Sequence, residues 1–456
     1  MDEGFTVNAV QAIQETGTEI LASGFRYSCP LYCYPSALIA DTFGDSPASY
    51  RILAALAGTL FIGVLFAGVK RMFNPGIALI AAGFAAFSYF QIAWSRQARW
   101  YTLFELFFWL AIFSFYAALY IRRLRWLSLS LTALFTGLAI LTHELGYLLP
   151  LIFAAWTVIE AVRSKRLPIA AFVGLAAAGF AGLAGALYYL EAKISFLLPF
   201  YLNFYFRSYW VLIALAVIAL IHPYNRYKRE TALLLLILVA YIVPLSFLTD
   251  IVNYRYLFHA TPVLFILAAV GACAILSDLP RAWQKVSAGI AIAAVFFVSG
   301  QGVLFPRVEY FLESDDPESF LLQDRNTYIF VPQPDWQEAY AFVEGVRTDA
   351  DAIVTTQPPF NEIYLDEPGY WIRYSYNGKD YMKETEDDRE FYVGAKIIDD
   401  VAELRALARS TTGFVLLDVY AARRVPAETR AYIETEMTEV FRKKTNSYSE
   451  VIVYRF

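Results

Sequence analysis

Between residues 50 and 304 the chain carries ten mostly apolar stretches, 50–69, 75–94, 102–121, 126–142, 145–162, 167–188, 205–221, 231–249, 257–277 and 285–304. A helix crossing about 30 Å of hydrocarbon needs roughly 20 such residues, so each stretch is a candidate membrane span. Composition agrees: 58% of residues are hydrophobic and only 17% are charged, where a soluble chain carries about 25% charged residues. An ordinary cytosolic globular protein is thereby excluded. The charge also changes along the chain. Residues 305–456 hold 17 Lys/Arg against 29 Asp/Glu, whereas residues 1–304 hold 20 against 13. The expected architecture is an α-helical polytopic membrane domain over 1–304, whose residues 1–49 form the first outer loop, followed by a water-exposed acidic domain over 305–456. With no Lys/Arg block, nucleic acid is not an expected partner.

Alternate loops sort by charge. One set holds thirteen Lys/Arg, among them Lys70, Arg71, Arg122, Arg123, Arg163, Lys228 and Arg229; the other holds five, Arg96, Arg99, Lys193, Arg207 and Arg255. The richer set belongs inside, because positive residues are retained on the cytoplasmic face. Ten spans then place both 1–49 and 305–456 outside. Nothing apolar precedes Met1-Asp2-Glu3 to carry the polar segment 1–49 across, so a further span is expected before it. Cys29, Cys33 and Cys273 suggest no disulfide framework, although Cys29 and Cys33 could pair in an oxidising compartment.

The outer ends of the spans collect Asp2, Glu3, Arg96, Arg99, Glu105, His143, Glu144, Arg255 and His259. Ionisable groups at or inside the hydrocarbon are costly and mark sites or pathways; for any single one, snorkelling to headgroups is the better account, and it is the gathering of the whole set on one side that points to a site. Arg96 and Arg99, three apart in Ser95-Arg96-Gln97-Ala98-Arg99-Trp100-Tyr101, share a face if a helix begins there. Guanidinium forks at that depth fit phosphate. Tyr101 and Glu105 extend the face inward, and Tyr256 lies between Arg255 and His259. Asp2-Glu3 is the one adjacent acidic pair outside the membrane before 305; a carboxylate there suits a general base acting on an acceptor hydroxyl. His143 and His259 permit a divalent metal, but their spacing matches no standard ligand set, and no cofactor is firmly expected.

The outer loop with Asp2-Glu3, then Pro30-Leu31-Tyr32, then Phe43-Gly44-Asp45-Ser46-Pro47-Ala48-Ser49-Tyr50-Arg51 leading into a span, resembles the first outer loop of type C glycosyltransferases, specifically protein O-mannosyltransferases and bacterial aminoarabinose or mannosyl transferases. Ser95 to Tyr101 is similar to that family's Arg-x-Tyr element, and Arg255-Tyr256-Leu257 through Pro262 to its Arg-Tyr-Leu…Pro element. No one of these motifs is specific; their order and shared side are. The resemblance implies a sugar donor linked to a polyprenyl or dolichyl phosphate, an outer-face acceptor hydroxyl on protein, glycan or lipid, Asp2 as base, and arginines that take the departing phosphate. Trp100 stands where some members carry an aspartate, and the Trp-Trp-Asp element of oligosaccharyltransferases is absent.

Val7 to Gln14 has helical spacing and is expected along the outer surface as an amphipathic helix. Past 305, strands are expected at 352–356, 413–418 and 451–454 and helices at 335–346, 401–408 and 427–441, an α/β layer domain for acceptor recognition, for covering the site, or for structure alone. Glu384 to Glu390 reads as a solvated acidic loop. A transporter or flippase of lipid-linked sugars is the competing class; it predicts internal repeats and midplane charge, and neither is seen in the sequence. A non-catalytic envelope scaffold is the third, and it predicts that Asp2 is dispensable.

Overall fold

The computed structural model describes residues 2–164, 196–222, 227–247, 254–299, 301–302, 335–373, 375–376, 379–380, 387–418, 425–446 and 449–456. The chain divides into two compact units, 51–306 and 1–50 together with 307–456. It begins with α1 (Asp2–Thr16) and α2 (Pro30–Phe43) of the second unit. The bundle then follows as α3 (Pro47–Met72), α4 (Pro75–Phe87), α5 (Tyr89–Ser95), α6 (Tyr101–Tyr120), α7 (Arg125–Thr142), α8 (Leu148–Arg163), α9 (Leu198–Ile221), α10 (Lys228–Phe247), α11 (Thr261–Asp278) and α12 (Ala282–Val298). Three 3-10 turns, Arg122–Leu124, Glu144–Tyr147 and Tyr254–Ala260, lead into α7, α8 and α11.

Counting those turns with their helices, seven helices among the described residues are long and apolar enough to cross a membrane; α4 and α12 are shorter apolar helices. The expected span 167–188 lies outside the described residues. The starts follow local chemistry. Pro75 occupies the first turn of α4, where its missing N–H costs nothing, and the Asn74 side chain accepts from the Ile77 N–H at 3.0 Å. The core of the bundle is α11, buried continuously from Thr261 to Ala272. Gly271 brings it against α9, since a Cβ there would strike the Leu215 carbonyl.

One expected span is broken. The stretch 75–94 leaves the helix at Ser88, whose ψ of 125° is extended, so that α4 and α5 are separate. Tertiary bonds outweigh helix continuity here: the Ser88 hydroxyl lies 3.0 Å from the Tyr209 hydroxyl, and Ser88 forms a β-bridge with Gly302.

In the other unit α1 forms, but not as a surface helix. Phe5 to Val10 are all buried, and α1 packs on α2 and on α14 (Pro358–Leu365), which follows α13 (Trp336–Val346). Two neighbouring helices cover it on more than one side, so that even the polar Thr6 and Asn8 are buried. Phe5 meets Tyr392 with ring centroids 4.5 Å apart and joins Trp371, Val393, Ala395 and Ile397 in one apolar cluster. Cys29 and Cys33 form a disulfide at the start of α2, the pairing left open for an oxidising compartment; one helical turn brings their Cα atoms to 5.4 Å.

The C-terminal region is α/β. Strands β1 (Ala352–Thr355), β2 (Tyr370–Ile372), β5 (Lys396–Ile398), β6 (Gly413–Asp418), β7 (Thr438–Asn446) and β8 (Ser449–Arg455) form one sheet in the order β5-β2-β1-β6-β8-β7. The short β3 (Ser375–Tyr376) and β4 (Lys379–Asp380) pair separately. β5, β2, β1 and β6 run parallel, and β8 and β7 are antiparallel additions. Helices α15 (Val401–Ser410) and α16 (Ala427–Glu436) complete the layers. The helix expected over 427–441 ends at Glu436, because Thr438 onward pairs with β8. Of the acidic loop, residues 384–386 lie outside the described residues.

Candidate active site

Three segments far apart in sequence meet at one end of the bundle: the turn before α6, the turn after α7, and the 3-10 turn Tyr254–Ala260. The turn before α6 supplies Arg99, only 6% exposed, with its guanidinium carbon 4.1 Å from the Trp100 ring and 5.5 Å from the Tyr101 ring. The Tyr254–Ala260 turn supplies Arg255, 5.9 Å from the same Tyr101 ring and 5.1 Å from Tyr256, to whose hydroxyl it donates at 3.2 Å. Arg99 also reaches the Tyr101 hydroxyl, at 3.5 Å. Tyr101 is therefore the plate on which both cations rest. Aromatic faces hold guanidiniums in place without neutralising their charge, so two cations are positioned at this end of the bundle.

Below this layer the site is drier. The rings of His143 and His259 each lie 6.0 Å from Tyr101 and 6.2 Å from one another, with Phe104 between them at 5.3 and 4.4 Å. His259 is fully buried, and its carbonyl accepts from the Trp109 indole at 3.1 Å. Glu105 is buried and accepts from the Gln91 amide at 2.7 Å. The second Glu105 oxygen, the Tyr241 hydroxyl and the His259 ring nitrogens meet no side-chain partner among the described residues. His143 sits outside the spans; burial, with Arg255 and Arg99 nearby, pushes its imidazole down to about 4. It is a neutral hydrogen-bonding group at physiological pH, and its Nδ1 accepts from the Leu145 N–H at 3.1 Å.

Of the residues singled out from sequence, Arg99, Tyr101, His143, Arg255, Tyr256 and His259 come together, with Glu105 one layer deeper. Arg96 and Glu144 are exposed at the same end. Asp2 and Glu3 begin α1 in the other unit. Among the described residues no three His, Cys, Asp or Glu side chains gather as a metal-ligand set. Gln91, Trp109 and Tyr241 were not anticipated. The available signal was a polar amide in the apolar run of 75–94, and aromatic residues whose N–H or O–H must find something to do in lipid.

Residues 28–189 match the family described as dolichyl-phosphate-mannose-protein mannosyltransferase. No curated protein matches the sequence. Among solved structures, ArnT from Cupriavidus metallidurans in the apo state is 15% identical with a TM-score of 0.60, over 99% of this chain and 93% of that one. The same protein bound to undecaprenyl phosphate aligns equally well, over 100% and 93%. The fold is that of the type C glycosyltransferases. That fold also covers the Archaeoglobus fulgidus oligosaccharyltransferase, at 11% identity and a TM-score of 0.54 in its apo form, over 91% of this chain and 65% of that one. The type C likeness therefore spans bundle and C-terminal domain alike, although the Trp-Trp-Asp element is missing here.

Proposed function

We propose that the protein is an inverting glycosyltransferase that moves a sugar from a polyprenyl-phosphate donor to an acceptor hydroxyl on the outer face of the membrane. The observation that carries this reading is the pair of guanidiniums, Arg99 and Arg255, packed on Tyr101 at the end of a lipid-embedded bundle. A phosphate leaving group is weakly basic, so its departure needs cations more than a proton donor. As the acceptor oxygen attacks the anomeric carbon, the bond from that carbon to the phosphate oxygen breaks and its electrons pass to the phosphate facing Arg99 and Arg255. Asp2 takes the acceptor proton, a role assigned from the sequence resemblance, with Glu3 orienting the acceptor. Arg96 and Glu144, exposed beside the cluster, fit contacts to the sugar or phosphate. His143, His259 and Tyr256 shape the wall, and Glu105 is held in reserve beneath it.

Two facts support outer placement: the excess of Lys/Arg in loops at the opposite end and the Cys29–Cys33 disulfide, which needs an oxidising compartment; the undecaprenyl phosphate bound by ArnT supports a lipid-linked donor. The test is transfer of sugar from a lipid-phosphate donor by the reconstituted protein. Asp2→Asn and Arg99→Gln should each lower kcat/KM by about 100-fold or more. Undiminished transfer by Asp2→Asn removes the base from the mechanism. Movement of intact donor across vesicles without transfer replaces the enzyme by a flippase.

A further inference from the structure

The turn that carries Arg255 is a 3-10 run of seven residues, Tyr254–Ala260, entering α11 at Thr261. Hydrogen bonds of this helix type are poorly aligned, and runs beyond about four residues rarely persist unaided. Neighbouring elements therefore have to hold it. The Phe104 ring of α6 meets His259 edge-on at 4.4 Å. The Leu257 carbonyl accepts from the Thr261 hydroxyl at 2.8 Å, with the Tyr205 hydroxyl at 3.4 Å from the same oxygen. The His259 carbonyl accepts from the indole of Trp109 at 3.1 Å. Trp109 is fully buried in α6, where no water competes for its N–H.

Helix type decides where Arg255 points. A 3-10 run turns ~120° and rises ~2.0 Å per residue, an α-helix ~100° and ~1.5 Å. Over the four residues from His259 back to Arg255, relaxation to an α-helix would swing the Arg255 backbone by ~80° about the axis and draw it ~2 Å toward His259. The guanidinium would then leave the Tyr101 ring, which it meets at 5.9 Å. Tyr101 and Trp109 belong to one helix, eight residues apart, or ~12 Å at 1.5 Å per residue. A single rigid element thus grips the run at both ends, by the ring beside Arg255 and by the indole at His259.

We propose that Trp109 is a positioning residue for the donor phosphate: its bond to the His259 carbonyl fixes the α11 end of the 3-10 run, and through it the seat of Arg255 beside Arg99 on Tyr101. Trp109 itself touches no substrate and acts only through Arg255. The inference rests on the reading of Arg99 and Arg255 as the phosphate site.

The experiment measures the Kd of the purified full chain for undecaprenyl phosphate by calorimetric titration, in wild type and in variants. Trp109→Phe keeps an aromatic ring and removes the donor, and should weaken binding about tenfold. In an Arg255→Gln background the same substitution should change Kd by less than about twofold, whereas in an Arg99→Gln background it should again cost about tenfold. A merely structural loosening would instead weaken binding alike in both backgrounds. Tyr205→Phe removes a hydroxyl from the same run, at a carbonyl that Thr261 already satisfies, and should shift Kd by less than about twofold. The inference alone is overturned, with the phosphate site left standing, if Arg255→Gln weakens binding but Trp109→Phe does not, if Trp109→Phe acts equally in both backgrounds, or if Tyr205→Phe weakens binding as much. Wild-type affinity in Arg255→Gln overturns the phosphate site and the inference together.

Discussion

Burying a guanidinium such as that of Arg99 removes its hydration, at a penalty of several kcal/mol, and a cation–π contact with Trp100 returns only about 2 kcal/mol. Two guanidiniums gathered at one end of the bundle are groups suited to binding phosphate. Arg255 is held by the same plate, so shape matters along with charge: Arg255→Lys keeps the charge but loses the planar fork on Tyr101 and Tyr256. Its KM for the lipid-phosphate donor should rise by about tenfold in steady-state assays. Two titrations carry opposite signs. His143 is pushed down to about 4 by burial first and then by Arg255 and Arg99. Between about 6.5 and 4 the unfolded chain therefore takes a proton that the folded chain refuses, and stability falls as pH falls through that window. His143→Asn should flatten the wild-type decline in Tm over this range. Glu362 on α14 is raised to about 7 by burial first and then by Asp366, Glu15 and Glu367. Its folded form favours the proton, so stability present below about 4.5 is lost as pH rises through 7. Glu362→Gln should melt higher than wild type at pH 8 and equally at pH 4. A Tm difference that does not change with pH would rule out either assignment.

At the scale of elements, α1 shows what the residue pattern conceals. Its helical periodicity was readable, but its burial was not, because the partners are α2, α14 and Tyr392, distant in sequence. Gly4 makes the close approach possible: a Cβ there would lie 2.9 Å from the Pro359 Cβ. Gly4→Val should push α1 off α14 and destabilise the unit by about 1–3 kcal/mol, read as a lower Tm, and should impair transfer because Asp2 and Glu3 start the same helix. Unchanged melting by Gly4→Val would mean that the contact is loose. The same limit on local reading explains β7. Residues 427–441 carry enough helix formers to suggest one helix, yet Thr438 to Asn446 pair with the last strand, since an otherwise open edge of β8 offers a ladder of hydrogen bonds. The Ser88 break is another such case, because Tyr209 and Gly302, which hold it, are invisible from 75–94 alone.

For the whole molecule, the bundle was legible because lipid demands long apolar helices whatever their neighbours, and span length alone located most of them. Arg99, Tyr101 and Arg255 were legible for a related reason: charge at the end of a span is expensive, and its position in the span order says which side it shares. The second layer, with Gln91, Trp109 and Tyr241, was not, since buried polar groups acquire meaning only from a partner on another helix. Sidedness remains the claim with the widest consequences, because the proposed transfer to an outer-face acceptor requires the Arg99 end to face outward. It can be tested with two exposed residues separated by α7, Arg122 before it and Glu144 after it. In a Cys273→Ala background, Glu144→Cys should react with a membrane-impermeant maleimide in intact cells, and Arg122→Cys should react only after lysis. Thirteen Lys/Arg in one set of loops against five in the other set the direction of this expectation. The reverse labelling pattern would put the arginine cluster on the cytoplasmic side and with it overturn transfer to an outer-face acceptor.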